Sequence, residues 1–197
     1  MSQITNFLRA SALATLALLS ATGCSVLEQD PYTALTPDQA FSTADRISKT
    51  ATGMYDGLQN AEFLGGRALI YGDTRSDDTN ASPYFSTIAN PQSTLANDTY
   101  ATNAWTGGYR TIYAANYFLQ GIAANTGKAS ATLEAQYISE AKYIRALAYF
   151  HLVNLYAQPY NFTADASHLG IPIQLTAASD AVAAFDPSQN LARSTVK

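Results

Sequence analysis

A single cysteine, Cys24, carries all the thiol chemistry of this 197-residue chain, which excludes an internal disulfide framework. Charge is scarce as well. Only 13% of the residues are Asp, Glu, Lys or Arg, about half the usual share, so the polar surface must come from Ser, Thr, Asn and Gln. Positive charge is the scarcer sign, and the net charge of −4 with no basic stripe excludes a nucleic-acid partner. The two histidines, His151 and His168, have no Cys, Asp or Glu at ligand spacing, so no metal is implied. His151, set among Phe150, Leu152 and Val153, reads as a core residue. A Gly-rich phosphate loop and a nucleophile elbow are missing, and with them the usual sequence grounds for a cofactor or a covalent enzyme. The adjacent carboxylates Asp77 and Asp78 would point in opposite directions in extended chain and do not face one substrate bond; no enzyme is expected. The apolar run from Ala10 to Leu19 is too short to cross a ~30 Å hydrocarbon layer.

That run has a different use. Arg9 precedes it and the small residues Ser20, Ala21, Thr22 and Gly23 follow it, which is the plan of a secretory signal. Cys24 comes next, where a signal peptidase would cut. The stretch "ATGC" resembles the lipobox of bacterial lipoproteins, with Ala21 in place of the usual larger aliphatic residue. The resemblance implies that Cys24 is lipidated and becomes the mature N-terminus, its acyl chains holding the protein on a membrane at ~0.8 kcal/mol per buried CH₂. The expected organisation is therefore a signal peptide over 1–23, a lipidated tether over 24–35 and a helical domain over 36–197.

Within that domain, Thr36, Pro37 and Gln39 form a helix start, and Phe41, Ala44, Ile47, Ala51, Tyr55 and Leu58 recur at helical spacing, predicting a helix over 37–60. A second helix is predicted over 104–125 on the stripe Trp105, Tyr109, Ile112, Asn116, Leu119 and Ala123. A third is predicted over 131–157 through Leu133, Tyr137, Ala141, Ile144, Ala148, Leu152 and Leu155. Its C-terminal half is apolar most of the way round, as in a layered helical array, and Ala141, Ala146 and Ala148 would let neighbouring axes approach. From Gly65 to Asn103 turn-forming residues dominate; only Ala68 to Tyr71 could be regular, and so long a loop is either functional or conceals elements. Arg145, in an apolar helix, needs a partner, with Asp77, Asp78 or Glu140 as candidates, and Asn116 should bond to backbone across a helix contact. "HLGIPIQL" reads as an excursion, and Ser194 or Thr195 as a helix cap with almost nothing behind it, which suggests a truncated chain.

Taken in order, the lipobox, "LEQDP", "AFSTADRI", "ATGMYDGL", "WTGGYRTIYAANYFL", "EAKYIRALAYFHLVNLYAQPY", "GIPI" and "RSTV" resemble the N-terminal half of the SusD/RagB family. A departure is Ala157, where many relatives carry Gly. The resemblance implies a mainly α fold of tetratricopeptide-type helix pairs with long irregular loops. It also implies a lipoprotein on the cell surface of the outer membrane that binds an oligosaccharide or other nutrient and passes it to a SusC-like TonB-dependent transporter. A surface-anchored helical scaffold that binds only protein is the rival. Sugars lie on aromatic faces with polar groups at the ring edge, so irregular segments holding both are the candidate contacts. Asn80, Tyr84, Tyr100 and Asn103 are chosen on that ground, and Trp105, which continues a helical stripe, is assigned to the core.

Overall fold

The computed structural model describes residues 35–76, 78–80, 83–90, 94–179 and 191–197. The chain divides into two units, Met1–Thr36 and Pro37–Lys197, and all the described helices and strands lie in the second. Cys24, the signal segment and Asp77 lie outside the described residues.

The first predicted helix is interrupted. Pro37–Ala40 forms one turn, α1, and α2 runs from Ala44 to Leu58. The break falls where Thr43, in extended conformation, accepts a hydrogen bond from the Arg46 N–H, so a second N-cap inside "FSTAD" restarts the helix. Ile47, Ala51 and Met54 form the buried face, whereas Tyr55, also on the predicted stripe, is partly exposed.

The irregular stretch conceals elements, as one of its two readings required. α3 spans Arg67–Thr74, a 3₁₀ turn spans Pro83–Phe85 and α4 spans Ser86–Ala89. α5 then runs from Thr99 to Ala124, starting five residues before the predicted position because Asp98 caps it, its carboxylate accepting from the Ala101 N–H at 3.0 Å. α6, Ala131–Tyr156, matches its prediction to within a residue; Ser130 caps it and Gly127, at φ +81°, makes the turn from α5.

α5 packs against both α2 and α6. Contacts pair Gly108 with Leu152, Asn116 with Arg145 and Phe118 with Tyr137, so α5 and α6 run antiparallel. One core cluster joins Phe41, Ile47, Met54, Phe118, Ile122 and Ile144; the other joins Phe63, Tyr71, Ile88, Ile112, Leu152 and Ile171. Each such side chain contributes about 1.5–3 kcal/mol when fully buried. Ala141 and Ala148 sit at the helix contact, but Ala146 is exposed, as is the outer face of α6 at Tyr143 and Phe150.

The first three residues of "GIPI" fall in a short strand, β1 (Leu169–Pro172), paired antiparallel with β2 (Arg193–Thr195). Ser194 and Thr195 are thus strand residues rather than a helix cap; the Ser194 hydroxyl donates to the Ile171 carbonyl at 2.8 Å. Just beyond β1, over 173–179, the described backbone lies in neither helix nor sheet, and side chains of the helix pair bond to it. Tyr109 donates to Pro172 O (2.7 Å), Tyr149 to Gln174 O (2.6 Å) and Asn116 Nδ2 to Gln174 O (2.9 Å). Asn116 Oδ1 in turn accepts from Arg145 Nη1 at 2.8 Å. Among the described residues Arg145 therefore has a neutral amide as its partner, whereas a carboxylate was expected; of the candidates, Asp77 lies outside the described residues. The backbone role expected of Asn116 holds, toward this strap rather than toward another helix.

Candidate ligand-binding site

Two turns and two helix starts bring the site residues together. The turn over 60–66 ends at Gly66, and Arg67 opens α3 with its guanidinium 5.5 Å from the Tyr100 ring centroid. Nη1 of the same guanidinium donates to Glu62 Oε1, and this ion pair raises the already high pKa of Arg67. Tyr100 lies in the first turn of α5, fixed by the Asp98 cap, while the 3₁₀ turn at Pro83–Phe85 carries Tyr84 outward, 76% exposed. Between them lies an open cleft of about 530 Å³ lined by Arg67, Pro83, Tyr84, Thr87, Asp98, Thr99 and Tyr100.

The electrostatics of the wall follow from its hydrogen bonds. Burial pushes the Asp98 carboxyl up, but the Ala101 N–H, the Thr87 hydroxyl and the Tyr100 N–H outweigh it and hold Asp98 below the usual carboxylate range. Behind the wall Tyr71 is 1% exposed; burial first, and the Glu62 charge second, push its phenol up to about 12. Neither Tyr71 Oη nor Glu62 Oε2 has a hydrogen-bond partner among the described residues. Aromatic contacts back Tyr100: Tyr71 meets Phe85 edge-on at 6.4 Å and Phe85 meets Tyr100 at 5.2 Å.

A second, larger cleft of about 860 Å³ is lined by Trp105, Tyr156, Asn154, Gln158, Arg75 and Arg193, among others. Both of its arginines are tied to backbone carbonyls, Arg75 to Ile88 and Leu155, Arg193 to Gly170 and Leu169. Trp105 packs edge-on to Tyr156 at 5.0 Å and against Tyr109 at 4.7 Å; it is half-buried, with one face toward this cleft.

Of the residues chosen from sequence, Tyr84 and Tyr100 share the smaller cleft. Asn80 is exposed in the chain after α3 and Asn103 is half-buried on α5; neither lines it. Asp78 is exposed, its N–H donating to Ser76 Oγ at 3.3 Å. Sequence reasoning passes over Arg67, Thr87 and Asp98. Asp98 has a legible signal, a cap residue one position before α5, but Arg67 and Thr87 acquire their place only from the packing of α3 and α4. Among the described residues no group of three His, Cys, Asp or Glu side chains could hold a metal, and no helix is long and apolar enough to cross a membrane.

The described residues thus form a mainly helical unit with an aromatic-lined cleft at its irregular edge. The chain belongs to the SusD-like_3 family, described as starch-binding and associating with the outer membrane, whose model matches residues 26–197. It is 25% identical over 147 residues to SusD-like protein P25 of Formosa agariphila, covering 70% of this chain and 28% of that protein. A SusD superfamily structure from Bacteroides fragilis superposes with a TM-score of 0.67 at 30% identity, covering 80% of this chain and 36% of that one. Another from Bacteroides thetaiotaomicron gives 0.64 at 25% identity, covering 78% and 33%. The chain thus spans about a third of the length of these relatives. Both the mainly α fold and the family expected from the sequence motifs are confirmed.

Proposed function

We propose that this protein is a lipid-anchored glycan-binding protein of the cell surface, which captures its ligand and passes it to a SusC-like TonB-dependent transporter. Membership of a starch-binding, outer-membrane-associated family supports the general reading. The observation that carries the site is the meeting of Tyr84 and Tyr100 in one cleft, with Arg67 and Asp98 at its edge. Two aromatic faces with a charged rim suit a sugar, whose C–H faces stack and whose hydroxyls take the polar groups. Anchorage falls to Cys24, with the chain up to residue 35 as its tether.

The test uses the full-length protein and a starch-derived oligosaccharide, maltohexaose, alongside other neutral glycans of equal length. Replacing Tyr84 and Tyr100 together by Ala is expected to abolish retention by the folded protein; the exposed Tyr84 contributes little to the melting temperature, whereas loss of Tyr100, which packs on Phe85, lowers it. Undiminished retention would remove the cleft from consideration. Cys24→Ala should release the protein from the membrane fraction and end incorporation of labelled fatty acid; persistent labelling would refute the anchor. A tagged full-length protein that never recovers a TonB-dependent transporter after mild solubilisation would count against the delivery step.

A further inference from the structure

We propose that Glu62 is a specificity-determining residue of the Tyr84–Tyr100 cleft, neutralising Arg67 so that the cleft takes uncharged sugars and excludes uronates and sulfated sugars. This rests on the cleft being the ligand site. Arg67 is the only cation among the described residues that line it. Its side chain is 44% exposed, and a guanidinium placed so would ordinarily grip a carboxylate or sulfate through two parallel N–H bonds. Glu62 offsets the charge that drives that grip. Its Oε1 accepts from Arg67 Nη1, and its Oε2 is buried with no donor facing it among the described residues. A carboxylate held that way has Arg67 as its close compensating charge, and swinging to a ligand anion would leave both oxygens unpaired. The Glu62 N–H donates to Asn60 Oδ1 at 2.9 Å, which pins the turn that presents the carboxylate.

Asp98, which also lines the cleft, adds to the effect. Two carboxylates against one guanidinium leave the cleft net negative, so an anionic ring meets repulsion while a neutral ring still finds aromatic faces and the uncommitted N–H groups of Arg67. Tyr71, the remaining ionisable group behind the wall, stays a neutral phenol at physiological pH and does not alter this balance.

The experiment compares maltohexaose with hexagalacturonate, which carries a carboxylate on every ring, on the full-length protein. Glu62→Gln keeps the side-chain shape and removes the charge. It should raise affinity for hexagalacturonate about five-fold at low salt, fading as salt screens the unpaired guanidinium, with maltohexaose affinity little changed. The double variant Glu62→Gln/Arg67→Gln should lose that gain. A folded Glu62→Gln protein with no gain overturns the proposal. Should this variant fail to fold, wild-type protein decides by itself: repulsion makes its weak hexagalacturonate binding strengthen as salt rises, and binding that weakens with salt overturns the inference. Loss of maltohexaose binding in the tyrosine double variant, together with no gain in Glu62→Gln, would reject the role of Glu62 alone. Intact maltohexaose binding in the tyrosine variant would instead reject the site.

Discussion

Trp105 is held between two uses, and its surroundings favour one of them. Its ring contacts with Tyr109 and Tyr156 are core contacts, although one face borders the larger cleft. Truncating a buried Trp costs about 3–5 kcal/mol, so a half-buried one should lose roughly 2–3. Trp105→Ala is expected to lower the chemical-denaturation midpoint by that much while leaving glycan affinity of the folded fraction at the Tyr84–Tyr100 cleft unchanged. His151 gives a pH prediction. Desolvation, where it packs edge-on against Phe63 and Phe150, lowers its pKa below 6.5. A depressed histidine binds its proton more readily in the unfolded chain, so its contribution is complete above pH 6.5 and falls as the pH drops through and below that value. Unfolding melts at pH 7.5 and 5.5 should show a loss in wild type that shrinks in His151→Leu.

At the scale of elements, α5 approaches its neighbours closely because glycine lies at the contacts. A Cβ on Gly121 would stand 2.0 Å from Cε2 of the fully buried Phe41 ring, and one on Gly108 would stand 2.6 Å from Leu152 Cδ2. Alanine in a helix normally improves on glycine by about 0.5–1 kcal/mol, but overpacking costs about 1–3, so the clash wins here. Gly53, exposed on α2 with nothing within 4 Å of its would-be Cβ, has no such opponent. Gly121→Ala should therefore destabilise by about 1–2 kcal/mol, while Gly53→Ala stabilises by about 0.5–1. Equilibrium denaturation of both variants checks the opposite signs.

For the whole molecule, the segment after β1 is fastened by side chains of α5 and α6 rather than by backbone ladders. Asn116 is the hub, fully buried, joining the carbonyl of Gln174 to the guanidinium of Arg145. Asn116→Leu removes both bonds at once; the Gln174 carbonyl keeps its bond from Tyr149, while the half-buried Arg145 guanidinium loses its Asn116 acceptor, at about 1–3 kcal/mol. Hydrogen exchange should then show the amide of Gln174, which donates to Tyr149 Oη, exchanging faster well before the helices melt. Unchanged protection at Gln174 would mean that the tyrosines alone hold the strap.

How much is legible in advance differs by element. α6 is legible almost to the residue, because Ser130 caps it and its apolar spacing runs unbroken. α5 is legible in its middle but not at its start, since Tyr100 and Ala101 sit among turn-forming residues that hide the Asp98 cap. α3 and α4 are obscured by short length and turn-forming composition, and they are stabilised by burying Tyr71 and Ile88 in a shared core more than by their own propensity. The interruption at Thr43 is a competition between two caps, with periodicity silent on the outcome. In the candidate site, residue type alone suggests Tyr84 and Tyr100, because an aromatic residue in a polar loop lacks an obvious core role. Which polar groups face those rings depends on how α3 and the start of α5 pack, and that selects Arg67, Thr87 and Asp98 over Asn80 and Asn103. The pairing of Arg145 with Asn116 is decided in the same way. By itself the sequence determined the main helices, the family and the scarcity of charge, all of which rest on local spacing, caps and composition. The tertiary structure alone decided the partners of each buried polar group, because those bonds join residues such as Asn116 and Gln174, far apart in the chain and adjacent only once the helices have packed.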